Sequence, residues 1–165
     1  MYDVLIIGAG PAGQAAAVMA KKLELSVFVI TKEIKNLSGY NNSDFINTTQ
    51  LASLFESKIS KSDIKLSEVT RLEKNIVSFS AEISSGELYY AHSIIITTGK
   101  QSSSFDMLTE KDSAGVIKTD SNLYTTVKGV FAAGQAGSEL AVAVGEGAKA
   151  GISARDFLKN QSKLT

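Results

Sequence analysis

Four apolar runs in the chain are unbroken by polar residues: Val4-Leu5-Ile6-Ile7, Val27-Phe28-Val29-Ile30, Ile94-Ile95-Ile96 and Val130-Phe131-Ala132-Ala133. Runs of this length suit strands buried on both faces of a parallel sheet. Between the first two lies an alanine-rich stretch holding Ala12, Ala15, Ala16, Ala17 and Ala20, with strong helix propensity and a thin packing face. Residues 4–30 therefore read as a β-α-β unit with a right-handed crossover. Residues 34–47 are rich in Asn, Ser and Gly and read as loop. Thr48 or Thr49 is expected to cap a helix running to about Ser60, with Leu51, Leu54, Phe55 and Ile59 on one face. Ile64-Lys65-Leu66 reads as a short strand. Val69 to Leu72, Ile76 to Ile83 and Leu88 to Tyr90 read as a three-strand meander, with turns at Asn75 and Ser85-Gly86. Residues 100–114 are polar and read as loop, and Val116-Ile117 as a small strand. A long helix is expected from about Ser138 to Leu158. Gly145, Gly147 and Gly151 fall inside it, and glycine in a helix interior costs about 1 kcal/mol against alanine. Three of them imply close contact with another backbone or a flat ligand, or, for Gly151 in particular, close packing of the helix on the sheet.

The junction of the first strand and helix is the most specific feature. It reads Gly8-Ala9-Gly10-Pro11-Ala12-Gly13, a Gly-x-Gly-x-x-Gly turn. Gly8 would make the tight turn out of the strand, Gly10 would let a pyrophosphate approach the backbone, and Gly13 would let the helix close on the sheet. Pro11 sits at the first helical turn, where a missing N–H costs nothing. The helix then aims its free amides and positive dipole end at the phosphates. The motif predicts a dinucleotide site here. In a nicotinamide-binding unit the second strand ends in an acidic residue that binds ribose hydroxyls. Here it ends Thr31-Lys32-Glu33. Glu33 or Thr31 can meet the ribose, and Lys32 can lie near the adenosine or be solvated; the sequence leaves these open.

Composition narrows the chemistry. The 165 residues carry 17 basic and 17 acidic side chains, so the net charge is zero, and no basic block is present. Nucleic acid and anionic membrane are thereby disfavoured as partners. No apolar stretch approaches the roughly 20 residues that span a bilayer, and the N-terminal run lacks a basic leader and a cleavage site. These features point to a cytoplasmic protein of one domain, residues 1–165. There is no cysteine, which removes thiolate metal sites and thiol redox chemistry from this chain. The one histidine, His92, lies at the mouth of a predicted strand and reads as a surface residue. Any redox chemistry must come from a bound cofactor.

Three blocks then carry a resemblance. They are Asp3 to Gly13, Ala91-His92-Ser93-Ile94-Ile95-Ile96-Thr97-Thr98-Gly99, and Gly129 to Gly134 with Gly145-Glu146-Gly147-Ala148-Lys149-Ala150. In this order the chain resembles the low-molecular-weight thioredoxin reductases and the flavin domain of the alkyl hydroperoxide reductase flavoprotein, over nearly its whole length. That family splits its FAD domain with an inserted NADPH domain carrying a Cys-x-x-Cys pair. Here the insertion looks absent, and the two halves look directly joined. The fold the resemblance implies is α/β: a Rossmann-like FAD-binding three-layer fold with a central parallel sheet and a small antiparallel β-meander.

The resemblance also implies site residues. Gly8, Gly10, Pro11, Ala12 and Gly13 match the pyrophosphate turn, and Val69 the strand position whose backbone meets the adenine. Thr97, Thr98 and Gly99 match a turn beside the FAD, and Asn36 to Tyr40 a segment near the flavin. Gly134 matches the glycine before a ribityl-binding aspartate, which is Gln135 here; an amide binds without charge assistance and so more weakly. The family's Gly-Gly-Gln segment after the second strand looks deleted. Glu139 falls where the family has a glutamine near the start of the last helix. If it faces the flavin, its charge would lower the flavin potential; otherwise it is a first-turn helix charge.

Three functions follow as expectations. One is an FAD-dependent oxidoreductase module that takes electrons from an external NAD(P)H or another donor to a redox partner, with an open flavin face suited to a homodimer or partner protein. Another is a non-catalytic FAD-binding accessory subunit or carrier. The third is an NAD(P)-binding Rossmann protein that uses only the first β-α-β unit.

Overall fold

A computed structural model describes residues 1–37, 46–99, 105, 108–135 and 139–161. The elements are β1 (Tyr2–Ala9), α1 (Pro11–Lys22), β2 (Val27–Ile34), α2 (Thr48–Lys58), β3 (Ile64–Leu66), β4 (Val69–Lys74), β5 (Phe79–Ile83), β6 (Leu88–Ile96), β7 (Val130–Ala132) and α3 (Leu140–Gln161). One curled sheet has the order β3-β2-β1-β6-β5-β4, and β7 pairs with β6. β1 is parallel to both β2 and β6, and β2 is parallel to β3. β4, β5 and β6 form the antiparallel meander.

The unbroken apolar runs are explained by what covers each face. In β1, Val4 and Ile6 point to one side, where they pack with Val29, Ile95 and Phe131 against Ala12, Ala16 and Ala20 of α1 and Ala150, Ala154 and Phe157 of α3. Leu5 and Ile7 point to the other, with Phe28, Ile30, Ile94 and Ile96, and are covered by Val69, Leu72, Phe79, Ala81 and Ile83 of the meander. Successive side chains alternate between the faces of a strand, so a strand covered on both sides has no polar position to show. Phe28 lies between Tyr2 and Tyr89, at ring-centroid distances of 4.8 and 4.7 Å.

Several boundaries differ from the sequence reading. Leu88-Tyr90 and Ile94-Ile96 belong to one strand, β6. Its first half pairs with β5 and its second with β1 and β7, and Ala91 faces both Phe79 and Tyr2. His92 therefore lies inside β6, not at its mouth, with Nδ1 3.4 Å from the Val77 carbonyl oxygen. β5 begins at Phe79; Ile76 and Val77 are exposed in the turn, where the Asn75 N–H bonds the Ser78 carbonyl at 2.8 Å. Asn47, rather than Thr48 or Thr49, caps α2, its side chain accepting the Gln50 N–H at 2.9 Å. Leu51, Phe55 and Ile59 are buried, but Leu54 is exposed. Val116-Ile117 is no strand; Ile117 makes a single bridge to Lys111. The 100–114 stretch is not wholly solvated, because Phe105 and Leu108 are buried in the meander-side core.

Two of the three glycines of α3 meet a helix, not the sheet. A Cβ on Gly147 would lie 2.0 Å from the Ala12 carbonyl oxygen, and one on Gly151 would lie 3.0 Å from that of Ala16. α3 thus lies close along α1, and this is the backbone contact the helix-interior glycines imply. A Cβ on Gly145 would meet nothing within 4 Å.

Candidate functional site

β1 ends where the chain must turn sharply, and three contacts fix that turn. Gly8 has φ +106°. The Thr97 hydroxyl, at the end of β6, donates to the carbonyl oxygens of Ile7 at 2.9 Å and Gly8 at 3.0 Å. A Cβ on Gly13 would stand 2.0 Å from the Gly8 carbonyl oxygen and 2.7 Å from Thr97 Oγ1, so only glycine lets α1 start this close to the strand. Gln14, almost fully buried among alanines, completes the lock. Its Nε2 donates to the carbonyl oxygens of Ala9 at 3.1 Å and Lys35 at 2.8 Å, tying together the ends of β1 and β2.

The helix end that results is open. α1 has Gly10 at its N-cap, with no side-chain cap and no acidic residue in its first turn. The Gln14 N–H makes the first helical bond, at 2.9 Å to the Gly10 carbonyl oxygen, which leaves the Ala12 and Gly13 amides without helical acceptors. Gly10 differs from its neighbours: a Cβ built on it would meet nothing within 4 Å. Its missing side chain leaves room beside the turn that no protein atom uses.

A cleft of about 660 Å³ opens at this point. One wall is the β1 turn with Ile7, Gly8, Ala9 and Gly10; another is the end of β2 with Thr31, Lys32, Glu33 and Lys35. Ser67, Glu68 and Val69 close the meander side, and Thr97, Thr98 and Phe105 the floor. The β2 wall is irregular. Ile7 pairs with Ile30 but Ala9 with Ile34, so Thr31, Lys32 and Glu33 together oppose Gly8 and bulge from the ladder. The Thr31 hydroxyl fills the gap, accepting from the Ala9 N–H at 3.2 Å and donating to the Glu33 carbonyl oxygen at 2.6 Å. The cleft's charges are largely neutralised: Lys32 pairs with Glu68 at 2.8 Å, and Lys35 pairs with Glu33. Thr98 Oγ1 is the exception among polar groups. It is buried and has no hydrogen-bond partner.

Of the residues singled out in the sequence, Gly8, Gly10, Thr31, Lys32, Glu33, Val69, Thr97 and Thr98 line the cleft. Pro11, Ala12 and Gly13 form the first turn of α1 behind it, and Gly99 follows Thr98 with φ +62°. Gly134 reaches the same corner from the other end of the chain. It follows β7 with φ +65°, and a Cβ on it would lie 2.3 Å from Ala12 Cβ. Gln135 is half-buried, its Nε2 3.5 Å from the Ile117 carbonyl oxygen. Asn36 and Glu139 are exposed and are not part of the cleft wall, and the Glu139 carbonyl oxygen accepts the Ala143 N–H at 2.9 Å to begin α3. Of the Asn36 to Tyr40 segment, Ser38 to Tyr40 lie outside the described residues. His92 is not in the cleft either; it lines a separate hollow of about 270 Å³ with Lys74, Lys128 and Phe157.

Sequence reasoning missed Gln14, the Glu68 and Phe105 walls, and Glu146, whose carboxylate accepts the Gly134 N–H at 2.8 Å. Gln14 had a legible signal, as the one polar residue inside an alanine run. Phe105 had none, and Glu146 appeared only within the Gly145 to Ala150 block, with nothing to mark its partner. Among the described residues, no group of three His, Cys, Asp or Glu is placed to hold a metal ion, and no helix is long and apolar enough to cross a membrane.

Comparison with known proteins agrees with this geometry. A curated protein of Clostridium pasteurianum, the "34.2 kDa protein in rubredoxin operon", is 29% identical over 113 residues, which cover 61% of this chain and 36% of that protein. A thioredoxin reductase of Ureaplasma parvum is 58% identical over 33 residues, covering 20% of this chain and 11% of that protein. The chain thus spans about a third or less of the curated relatives it matches. Among solved structures, a ferredoxin-flavin thioredoxin reductase from Clostridium acetobutylicum superposes with a TM-score of 0.76 at 16% identity, covering 99% of each chain. Residues 2–98 match the family described as "Alanine dehydrogenase/PNT, C-terminal domain". That match covers β1 to β6 and the cleft's β1 turn, whereas likeness to the thioredoxin reductases extends through β7 and α3. The chain belongs to the alanine dehydrogenase/PNT C-terminal domain family, a Rossmann-type domain, and its complete fold is that of the thioredoxin reductases.

Proposed function

We propose that this chain is an FAD-binding redox module of thioredoxin reductase type, acting as one domain. The observation that carries the reading is the meeting of two remote turns: Gly134, after β7, packs on Ala12, in the first turn of α1. A protein that gripped only an adenine dinucleotide at β1 and β2 would need no second turn there. The residues present suit the group. The Ala12 and Gly13 amides have no helical acceptor and would serve the pyrophosphate, Gly10 leaves it room, and Thr98 Oγ1 offers a buried hydroxyl that lacks a protein partner. Val69 and the β2 bulge border the adenosine end. The paired lysines there leave no obvious cation for an extra phosphate on the ribose. When bound, FAD supplies the electron and hydride chemistry that these side chains lack.

The donor would be NAD(P)H or another external reductant, and the acceptor a separate redox partner. The flavin-side corner near Gly134 and Gln135 would then be covered by that partner or by a second copy of the chain. A second reading, NAD(P) binding by the β1–β2 unit alone, is favoured by the family match ending at Thr98, before the second turn. A third, an FAD carrier or accessory subunit without turnover, shares the site.

FAD titration separates these readings. The proposal expects saturable binding of one FAD per chain, with flavin absorbance near ~450 nm, and bleaching on anaerobic addition of NADH or NADPH if the module is catalytic. Binding of NAD(P) but not FAD would reject it for the second reading, and FAD that binds without bleaching would leave the carrier.

A further inference from the structure

The Gly134 N–H does not point to solvent or to the sheet. It donates to Glu146 Oε2, on α3, at 2.8 Å. Glu146 is followed by Gly147, whose Cα presses so closely on Ala12 that a Cβ would lie 2.0 Å from the Ala12 carbonyl oxygen. Gly134 itself has left-handed φ, +65°, and abuts Ala12 Cβ. One turn of α3 therefore holds two things at once. Gly147 sets the distance between α3 and the first turn of α1, and Glu146 sets the orientation of the Gly134 peptide against that same turn. The sequence brackets Glu146 with Gly145 and Gly147, and its carboxylate sits at a half-buried position.

The geometry points to Glu146 as a positioning residue for the dinucleotide site. Its carboxylate fixes Gly134, and through it Gln135, against the first turn of α1, so that the second turn is already in place when the ligand arrives. An oxygen accepting a backbone N–H in this way is a charge-assisted bond, stronger than a neutral one. Pre-ordering the turn removes a cost that binding would otherwise carry. The inference rests on the FAD reading of the site, because it concerns how that ligand's second contact is held.

The test uses the intact chain and two variants, Glu146→Ala and Glu146→Gln. FAD affinity is measured by flavin fluorescence titration, and exchange of the Gly134 amide is measured by NMR without ligand. Glu146→Ala should weaken FAD binding about tenfold and speed Gly134 exchange by at least about tenfold, consistent with the loss of one charge-assisted bond. Glu146→Gln keeps an acceptor and should restore affinity to within about threefold of the parent, because a neutral acceptor retains part of that bond. A merely structural glutamate would lower the melting temperature in both variants and leave the affinity of the folded protein unchanged. That result, or unaltered Gly134 exchange in Glu146→Ala, overturns the inference while the FAD reading stands. If Glu146→Ala does not fold, Glu146→Gln decides: slow Gly134 exchange with parental affinity supports the role, and fast exchange with parental affinity overturns it. A parent protein that binds no FAD overturns both readings together.

Discussion

Two glycines three residues apart in the β1–α1 turn should fail in opposite ways. At Gly10 the backbone is extended, with φ −77° and ψ −170°, which any residue adopts, and a built Cβ meets nothing within 4 Å. The Cβ of Gly10→Val therefore introduces no clash within the protein. Its cost is the poorer N-cap, about 1 kcal/mol, which lowers the melting temperature by about 2–4 °C for a chain of this size. The same side chain fills the space beside the α1 amides, so FAD affinity should fall at least about a hundredfold, or about 2.8 kcal/mol. Gly13→Ala reverses the balance. Its Cβ would lie 2.0 Å from the Gly8 carbonyl oxygen and 2.7 Å from Thr97 Oγ1, and the first of these is backbone that cannot swing away. Overpacking of this kind costs about 3 kcal/mol or more, so the melting temperature should drop by about 10 °C or the chain should fail to fold. Thermal melts of the ligand-free proteins and FAD titrations of the folded ones separate the two effects. If Gly10→Val binds FAD within about threefold of the parent, the turn is not the phosphate site and the reasoning fails.

Other expected outcomes follow from the same contacts. Thr98→Val removes a buried hydroxyl that has no partner within the protein. The ligand-free protein should be as stable or about 1 kcal/mol more so, while FAD binding weakens, and a clear loss of ligand-free stability in a denaturant melt would contradict the unpaired hydroxyl. In α3, Gly145→Ala should stabilise by about 1 kcal/mol, because its Cβ meets nothing and alanine is the better helix former. Gly147→Ala should destabilise by about 3 kcal/mol through its clash with Ala12; equal effects at the two positions in urea unfolding would refute the α1–α3 contact. Burial, and then the charges of Asp156 and Asp120, raise the Tyr124 phenol above its ordinary value of 10.0. Its hydroxyl donates to the Ser153 carbonyl oxygen at 3.2 Å. A raised value makes this contribution fully present below the unfolded value and lost as pH rises through the folded one. The stability difference between the parent and Tyr124→Phe should thus shrink as pH rises past about 10, and a constant difference would contradict the raised phenol.

The β1–α1 turn was legible because each glycine answers a local demand that the neighbouring residues display. The buried parallel strands were legible for the same reason, since covering both faces leaves no polar position. Boundaries were lost where one strand serves both the antiparallel and the parallel part of the sheet. In β6, the exposed and half-buried residues Leu88 to Tyr90 look like a meander strand, and Ile94 to Ile96 like a core strand, yet one backbone carries both. The β2 bulge was invisible, because a register shift between Ile7 and Ala9 leaves no mark on composition. The α3 glycines announced a close contact but not its partner, which proved to be α1. Thr97 and Thr98 read as equivalent in sequence. In space the first hydroxyl clamps the β1 turn, and the second is left without a protein partner in the cleft wall. Glu146 stands in the sequence only within the Gly145 to Ala150 block; its bond to Gly134 joins the end of β7 to α3, which pattern alone does not show.

The central claim is that the β1–α1 turn and the Gly134 turn after β7 serve one flavin dinucleotide. Amide hydrogen exchange, read by mass spectrometry with and without ligand, tests this directly. The account predicts that FAD slows exchange in both the Gly8 to Gln14 and the Phe131 to Gln135 segments, while ADP slows chiefly the first. Protection by FAD confined to the Gly8 to Gln14 segment, or absent from both, would contradict it.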